Sequence, residues 1–176
     1  TSINLAVNTS ATATATSTAP GVGPVSLGGI SYSILSTSGG GSATINANSG
    51  AMVAINSGSV TIGAFQASDL NYNAVSTSLV ITIGVGVQTL SFSSASYTLL
   101  TNQTQSITAT NSVINGGVIT YSIIGGSGSS TVNSNNGLVL AIGSGTVTLI
   151  AQASSTVNYN AVSSTVLITI NPSTPT

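Results

Sequence analysis

Lysine, arginine, histidine, cysteine and tryptophan are all absent from this 176-residue chain, and its only carboxylate side chain is that of Asp69. Without basic side chains the chain has nothing to neutralise phosphates, which excludes ordinary nucleic-acid binding. Without histidine or cysteine it lacks the usual transition-metal ligands. Without a second carboxylate or a nitrogen base it lacks the pairs that acid–base and nucleophilic catalysis need. The composition therefore predicts no enzyme activity, no metal site and no cofactor.

Long hydrophobic runs are also missing, although 41% of the residues are apolar. No uninterrupted stretch approaches the roughly 20 residues of a membrane span, so we expect none. The chain begins without a basic and apolar leader, and we expect a secreted, extracellular protein whose signal peptide has been removed. Serine and threonine, 32 and 26 residues, replace charge on the surface. Since a net charge of −1 gives almost no repulsion between copies, we expect association, covalent glycans, or both.

The main positive signal is an internal repeat. The sequence NYNAVSTSLVITI at 71–83 recurs as NYNAVSSTVLITI at 158–170, an offset of 87 residues. Holding that offset over 41–83 and 128–170 gives 23 identities in 43 ungapped positions. Two copies of one unit of about 87 residues are therefore predicted.

Within each copy the apolar residues alternate with serine and threonine, which is typical of strands that bury one face. Asn-Gly and Gly-Ser-Gly turn signals separate the strands every 8–12 residues, as in β-sandwiches. The sequence predicts an all-β protein with two tandem Ig-like antiparallel β-sandwich domains in an elongated rod. The predicted segments are an N-terminal strand segment at 1–18, a first sandwich at 19–84, a second sandwich at 88–171 and a tail at 172–176. Strands of the second sandwich are predicted near 88–93, 104–110, 117–124, 130–133, 138–142, 145–153 and 162–170.

The second copy resembles the bacterial Ig-like repeats of surface proteins. The resemblance lies in the Gly-Thr-Val-Thr-Leu strand at 145–149, the Ala-Gln-Ala stretch at 151–153 and Asn-Tyr-Asn-Ala at 158–161. The first copy departs from the pattern at Phe65 and Gln66. The extreme charge depletion also resembles archaeal surface pilins, including the thread filaments built by donor-strand complementation. These resemblances imply an extracellular role in spacing, adhesion or assembly.

Three groups of residues are candidates for chemistry and are better explained by structure. Asp69 lies between two predicted strands, and we expect its side chain to hydrogen-bond its own turn. The glycine-rich stretches 39–42 and 125–130 lack the lysine of a phosphate-binding loop and are predicted to be flexible loops between strands. Tyr72 and Tyr159 occupy identical Asn-Tyr-Asn-Ala contexts, and we expect them to be structural loop tyrosines; sugar binding is the alternative.

Two sequons are candidate glycosylation sites: Asn8-Thr9-Ser10 and Asn102-Gln103-Thr104. Sequons arise easily in a chain this rich in asparagine, serine and threonine. The need for solubility without charge favours glycans on Asn8 and Asn102.

The N-terminal segment predicts how copies associate. Ile3, Leu5 and Val7 alternate with polar or small residues on an uncharged strand. One hypothesis is that this strand leaves its own sandwich and inserts these three side chains as knobs into a groove of a neighbouring copy, with Pro20 and Pro24 in the exit loop. The alternative is an intramolecular first strand that matches 90–92 of the second copy.

Two functions follow from these alternatives. With strand donation, the protein is a structural subunit, a pilin, of a cell-surface filament that is a homopolymer with a role in adhesion or biofilm formation. Without it, the chain is an Ig-like spacer or binding module of a cell-surface adhesin or surface-layer protein.

Overall fold

The computed structural model describes residues 2–19, 23–24 and 29–174, and these residues form β-strands joined by turns, without any helix. The chain divides into two compact units, Thr1–Gly86 and Val87–Thr176. The predicted all-β class is confirmed.

The described residues of unit 1 form nine strands, seven of them in two main sheets. One sheet has the order β1-β9-β8-β5 and the other has the order β2-β7-β6, while the short strands β3 and β4 pair with each other. The strands are β1 (Ser2–Ala6), β2 (Ser10–Thr12), β3 (Thr18–Ala19), β4 (Gly23–Pro24), β5 (Ile30–Ser38), β6 (Ser42–Ile45), β7 (Ala51–Asn56), β8 (Gly58–Gln66) and β9 (Val75–Gly84).

Unit 2 repeats this arrangement and adds one paired strand at its beginning. Its main sheets have the orders β11-β18-β17-β14 and β12-β16-β15, and β10 pairs with β13. The strands are β10 (Leu90–Phe92), β11 (Ser96–Leu100), β12 (Thr104–Ser106), β13 (Ala109–Asn111), β14 (Ile119–Gly126), β15 (Ser129–Val132), β16 (Leu138–Gly143), β17 (Gly145–Ala153) and β18 (Val162–Asn171).

Alternation of residue type produces the core of each unit. On β7 the side chains of Met52 and Ala54 are buried while Val53 and Ile55 are exposed, and β16 repeats the pattern. Because successive side chains of a strand point to opposite faces, each of these strands places every second residue in the core. In unit 2 the core includes Leu99, Ile107, Val139, Leu149, Ile168 and Ile170, which are at most 2% exposed.

Glycine makes the tight connection between neighbouring strands possible. Gly58 and Gly145 follow β7 and β16 at equivalent positions, with φ angles of 138° and 133°. A Cβ atom on Gly58 would also overlap the backbone of Gly41. Both the backbone angle and the close approach therefore require glycine here.

In unit 2 the structure contains one strand that was not predicted and divides one predicted strand in two. The segment 96–100, which was not predicted to be a strand, forms β11. The single strand predicted at 104–110 is interrupted, and its two halves, β12 and β13, pair with different strands, β16 and β10. This change of partner explains the break, because a straight strand cannot pair in both sheets.

Candidate assembly site in the first unit

The first strand of unit 1 lies along its own sheet. β1 pairs with β9 in parallel, with Ile3 opposite Ile81 and Leu5 opposite Ile83. Of the three candidate knobs, Ile3 is 36% exposed, Leu5 is half-buried and Val7 is 5% exposed. In the single chain the three therefore face their own sandwich with increasing burial.

After β1 the chain turns and joins the opposite sheet. The backbone N–H of Asn8 donates to the carbonyl of Ala54, and β2 then pairs with β7. Beyond β2, the N–H of Ala13 donates to the carbonyl of Gly50, and the N–H of Ala15 donates to the hydroxyl of Tyr32 at 3.0 Å. We call residues 2–19 the first-strand segment. Two strand pairs and a few single hydrogen bonds hold it to the rest of unit 1.

The counterpart of this segment in unit 2 is 96–111. β11 pairs with β18 in parallel, with Tyr97 opposite Ile168 and Leu99 opposite Ile170, in the same register as β1 on β9. The expected match of the first strand with residues 90–92 is therefore wrong. The strand at 90–92 is β10, which precedes β11 and packs against β17 and β18 as well as pairing with β13.

β10 closes unit 2 with apolar side chains and a buried amide. Leu90 is 8% exposed, and Phe92 packs against the core. Gln88, just before β10, is 2% exposed; its amide nitrogen donates to the carbonyls of Ser154 and Asn160. Its amide oxygen accepts from the Asn111 side chain and from the N–H of Gly117. The beginning of unit 2 is thus bonded to strand β13 and to two loops, the one before β14 and the one between β17 and β18.

The corresponding part of unit 1, as far as the structure describes it, is a groove. It lies between the first-strand segment and strands β8 and β9, with adjoining cavities of about 120 Å³ and 240 Å³. Ala13 and Ala15 line one wall, and Ile62 and Ala64 line the other. The alanine side chains of unit 1 leave this space open, and β10 fills the equivalent space in unit 2. We call this groove of unit 1 the seam.

Two tyrosines that sequence reasoning did not single out hold these segments. The hydroxyl of Tyr121 accepts the buried N–H of Ala109 at 3.0 Å, as Tyr32 accepts that of Ala15. The signal was present, because the matching sequences ISYSI and ITYSI place both tyrosines at the same position of the edge strands β5 and β14.

Asp69 caps a turn. One oxygen of its carboxylate accepts the N–H groups of Asn71 and Tyr72, both at 2.8 Å. In unit 2 the hydroxyl of Thr156 accepts the N–H groups of Asn158 and Tyr159 in the same way. The carboxylate thus does what a neutral hydroxyl does in the other copy. Tyr159 is 5% exposed and Tyr72 is half-buried.

The chemistry of the described residues is otherwise sparse. Among them no three histidine, cysteine, aspartate or glutamate side chains come together in a way that would hold a metal ion. A search of the same residues finds no helix long and apolar enough to cross a membrane.

No family model and no curated protein matches the chain. Solved structures do match, over nearly its whole length. Extracellular cadherin domains 3–6 of protocadherin gamma B2 align with 98% of this chain and 51% of theirs, at 14% identity and a TM-score of 0.41. Domains 4 and 5 of the S-layer protein SbsC align with 96% of this chain and 92% of theirs, at 12% identity and a TM-score of 0.43.

The titin domains Z1Z2, solved in complex with telethonin, align with 98% of this chain and 93% of theirs, at 16% identity and a TM-score of 0.40. The chain spans 33–64% of the length of the cadherin structures it matches. The two-sheet architecture of each unit rests on the strand pairing described above.

Proposed function

We propose that this chain is a structural subunit of an extracellular surface filament, and that it polymerises head to tail by donating its first-strand segment to a neighbouring copy. The observation that carries the proposal is the seam. In unit 2, β10 lies between the first strands and the core, whereas the described residues of unit 1 leave a groove along the same side. The first-strand segment is therefore packed less tightly against its own unit.

The strand pairs of the first-strand segment can be exchanged between copies at a low cost in free energy. β1 is an edge strand in a parallel pair, which is slightly less stable per residue than an antiparallel one. β2 spans three residues. If the segment inserts into an identical unit of a second copy, every one of these bonds is remade, so exchange changes the free energy little, as in domain swapping.

The connection to the rest of unit 1 is long enough to serve as a hinge. Fifteen positions separate Ala15 from Ile30, whereas ten separate their counterparts Ala109 and Ile119. The additional residues include Pro20 and Pro24, the predicted exit loop; Pro20 lies outside the described residues, and Pro24 is in β4. In the single chain β3 and β4 of this connection pair with each other, so donation requires this short antiparallel pair to open.

An uncharged chain suits such assembly. With a net charge of −1, copies neither repel one another nor depend on ion pairs that salt would screen. Burial of apolar surface and backbone hydrogen bonds remain as the driving forces. We also propose that the protein is secreted to the cell surface, where such filaments serve adhesion or biofilm formation.

The pairing register provides a direct test, because the chain has no cysteine of its own. Asn4 lies opposite Thr82 in the β1–β9 pair, and both are exposed. The double variant Asn4→Cys, Thr82→Cys is treated with a short thiol cross-linker as assembled material and run on a denaturing gel. Donation predicts a ladder of covalent oligomers, whereas an intramolecular strand gives only the monomer band and would refute the proposal.

Unit 2 offers the matched control. Thr98 lies opposite Thr169 in the β11–β18 pair. The double variant Thr98→Cys, Thr169→Cys should cross-link within one chain and run as a monomer under the same treatment.

A point substitution tests the knobs. Leu5→Asp places a charge against the sheet, where burying an unpaired charge costs several kcal/mol. We expect loss of filaments in negative-stain micrographs, with rescue of the monomer by peptide 1–18. Asn4→Asp adds the same charge on the exposed side and should leave filaments intact; filaments that still form from a chain without residues 1–10 would contradict donation.

A further inference from the structure

The two sequons occupy the same turn in both units. Asn8 and Asn102 have left-handed backbone angles, with φ values of 65° and 67°. Each backbone N–H donates to the carbonyl of an equivalent alanine, Ala54 in unit 1 and Ala141 in unit 2. Both asparagines are exposed. The sequons are thus two copies of one structural feature.

Beside each turn runs a row of exposed aliphatic side chains. In unit 1 these are Val53 and Ile55 on β7, which are 44% and 43% exposed. In unit 2 they are Leu138, Leu140 and Ile142 on β16, which are 44%, 37% and 49% exposed. We call these rows the stripes. The outer face of a two-sheet domain is ordinarily polar, so an aliphatic row on the central strand of both outer faces needs a cover.

The sequons and the stripes are in direct register. Ser10, the third residue of the first sequon, lies opposite Val53, and Thr104, the third residue of the second, lies opposite Leu140. Both hydroxyl residues are exposed on the same outer face as the stripe. The turn that carries either asparagine therefore lies beside the end of a stripe.

We propose that N-linked glycans on Asn8 and Asn102 lie over the stripes and shield them from other molecules. The C–H faces of sugar rings pack on aliphatic side chains while their hydroxyl groups remain in water. In most proteins charged surface residues provide solubility, and this chain has almost none. A glycan provides solubility in their place. The proposal does not depend on strand donation.

The modification uses an oligosaccharide activated as a lipid-linked diphosphate and a transferase of the producing cell. The side-chain amide nitrogen of asparagine forms a bond to the anomeric carbon of the first sugar. The bond between that carbon and the phosphate oxygen breaks, and the lipid diphosphate leaves with the electron pair. One amide proton is transferred to a base of the transferase, so atoms and charge balance.

The test uses full chains made in a glycosylating producer. Asn8→Gln and Asn102→Gln should each lower the intact mass by one glycan, and the double variant should lower it by two. The double variant should bind a hydrophobic dye several-fold more strongly and should clump. Ser10→Thr and Thr104→Ser keep both sequons and should behave as the parent chain.

A rescue distinguishes shielding from a general effect of glycans on solubility. In the double Gln variant, Val53→Thr, Ile55→Thr, Leu140→Thr and Ile142→Thr together should return dye binding and clumping to the parent level. Unchanged mass in the Gln variants would overturn the proposal, as would unchanged dye binding once the glycans are gone.

The alternative occupant of the stripes is a second copy of this chain. In that case the four threonine substitutions in the fully glycosylated chain would abolish filaments or bundles in micrographs, and the shielding proposal would be wrong. Shielding predicts that they leave assembly unchanged. Strand donation is tested independently, by the cross-linking of the Asn4→Cys, Thr82→Cys variant.

Discussion

The two units have one architecture and differ in what packs against their first strands. In unit 2, Leu99 and Ile107 are at most 1% exposed, and Leu90 of β10 closes over them in the same core cluster. In unit 1 the corresponding positions are held by half-buried Leu5 and by Ala13. The difference teaches that one sandwich can hold its first strand firmly or loosely, according to a few side chains beside that strand.

The size of the difference follows from burial. Fully burying a Leu or Phe side chain contributes roughly 1.5–3 kcal/mol, and unit 2 obtains such contributions from β10. Gln88 adds four hydrogen bonds that unite the loops around it. The described part of unit 1 shows a groove instead, which leaves its first-strand segment the more exchangeable of the two.

The largest expected effect comes from converting unit 2 into the loosely closed form. The double substitution Leu90→Ala, Phe92→Ala removes the side chains with which β10 covers the core. We expect unit 2 to lose about 4 kcal/mol, since a buried Leu or Phe changed to Ala typically costs 2–5 kcal/mol and Phe92 is only half-buried. Hydrogen exchange of the full chain, followed by mass spectrometry, assigns the loss to peptides of 96–111.

Val87→Ala is the matched control, because Val87 is 80% exposed. Its effect should stay within about 0.5 kcal/mol. If the double variant exchanged no faster than the control, β10 would not be what distinguishes the two units.

Much of the fold was predictable from the sequence, for physical reasons. The offset of 87 residues places β7, β8 and β9 on β16, β17 and β18, because alternation and turn glycines are retained in both copies. The offset of 87 residues does not align the first strands of the two units. Their offset is 94 residues, as Asn8 and Asn102 show, and Ala13 stands where unit 2 has Ile107.

The candidate site was less predictable, because it depends on long-range pairing. The sequence indicated an apolar strand at 3–7, but both parallel ladders join strands that are distant in sequence and leave no local signal. The role of Gln88 was likewise invisible, since its four partners come from residues 111, 117, 154 and 160. The glycan and donation hypotheses remain predictions, to be decided by the experiments above.

A smaller effect is expected from the two edge-strand tyrosines. Tyr121→Phe leaves the buried N–H of Ala109 without its acceptor and should cost about 1–3 kcal/mol, the penalty of an unsatisfied buried group. Tyr32→Phe affects a partly buried N–H, which water can reach, and should cost about 1 kcal/mol or less. Urea denaturation of the full chain, with hydrogen exchange to assign each unit, measures both.

Tyr97→Phe is the control for these two substitutions, since the hydrogen bond of the Tyr97 hydroxyl among the described residues is an exposed one, with the side chain of Ser93. It should change stability by no more than about 0.5 kcal/mol. Equal losses for Tyr32→Phe and Tyr121→Phe would show that the segment is held as firmly in unit 1 as in unit 2.

The smallest expected effect is that of pH on stability. It concerns the turn that is capped by Asp69 in unit 1 and by the neutral Thr156 in unit 2. Folding is coupled to pH only through groups that bind protons differently in the folded and unfolded states. Asp69 is the only acidic side chain, and in unit 2 the neutral Thr156 accepts the equivalent N–H groups. We therefore expect the Tm to change by less than roughly 5 °C between pH 7 and pH 2, equivalent to under about 1 kcal/mol. Asp69→Thr, which copies the turn of unit 2, should show the same nearly constant Tm in thermal scans, while a parent Tm that collapsed between pH 5 and pH 2 would contradict this account.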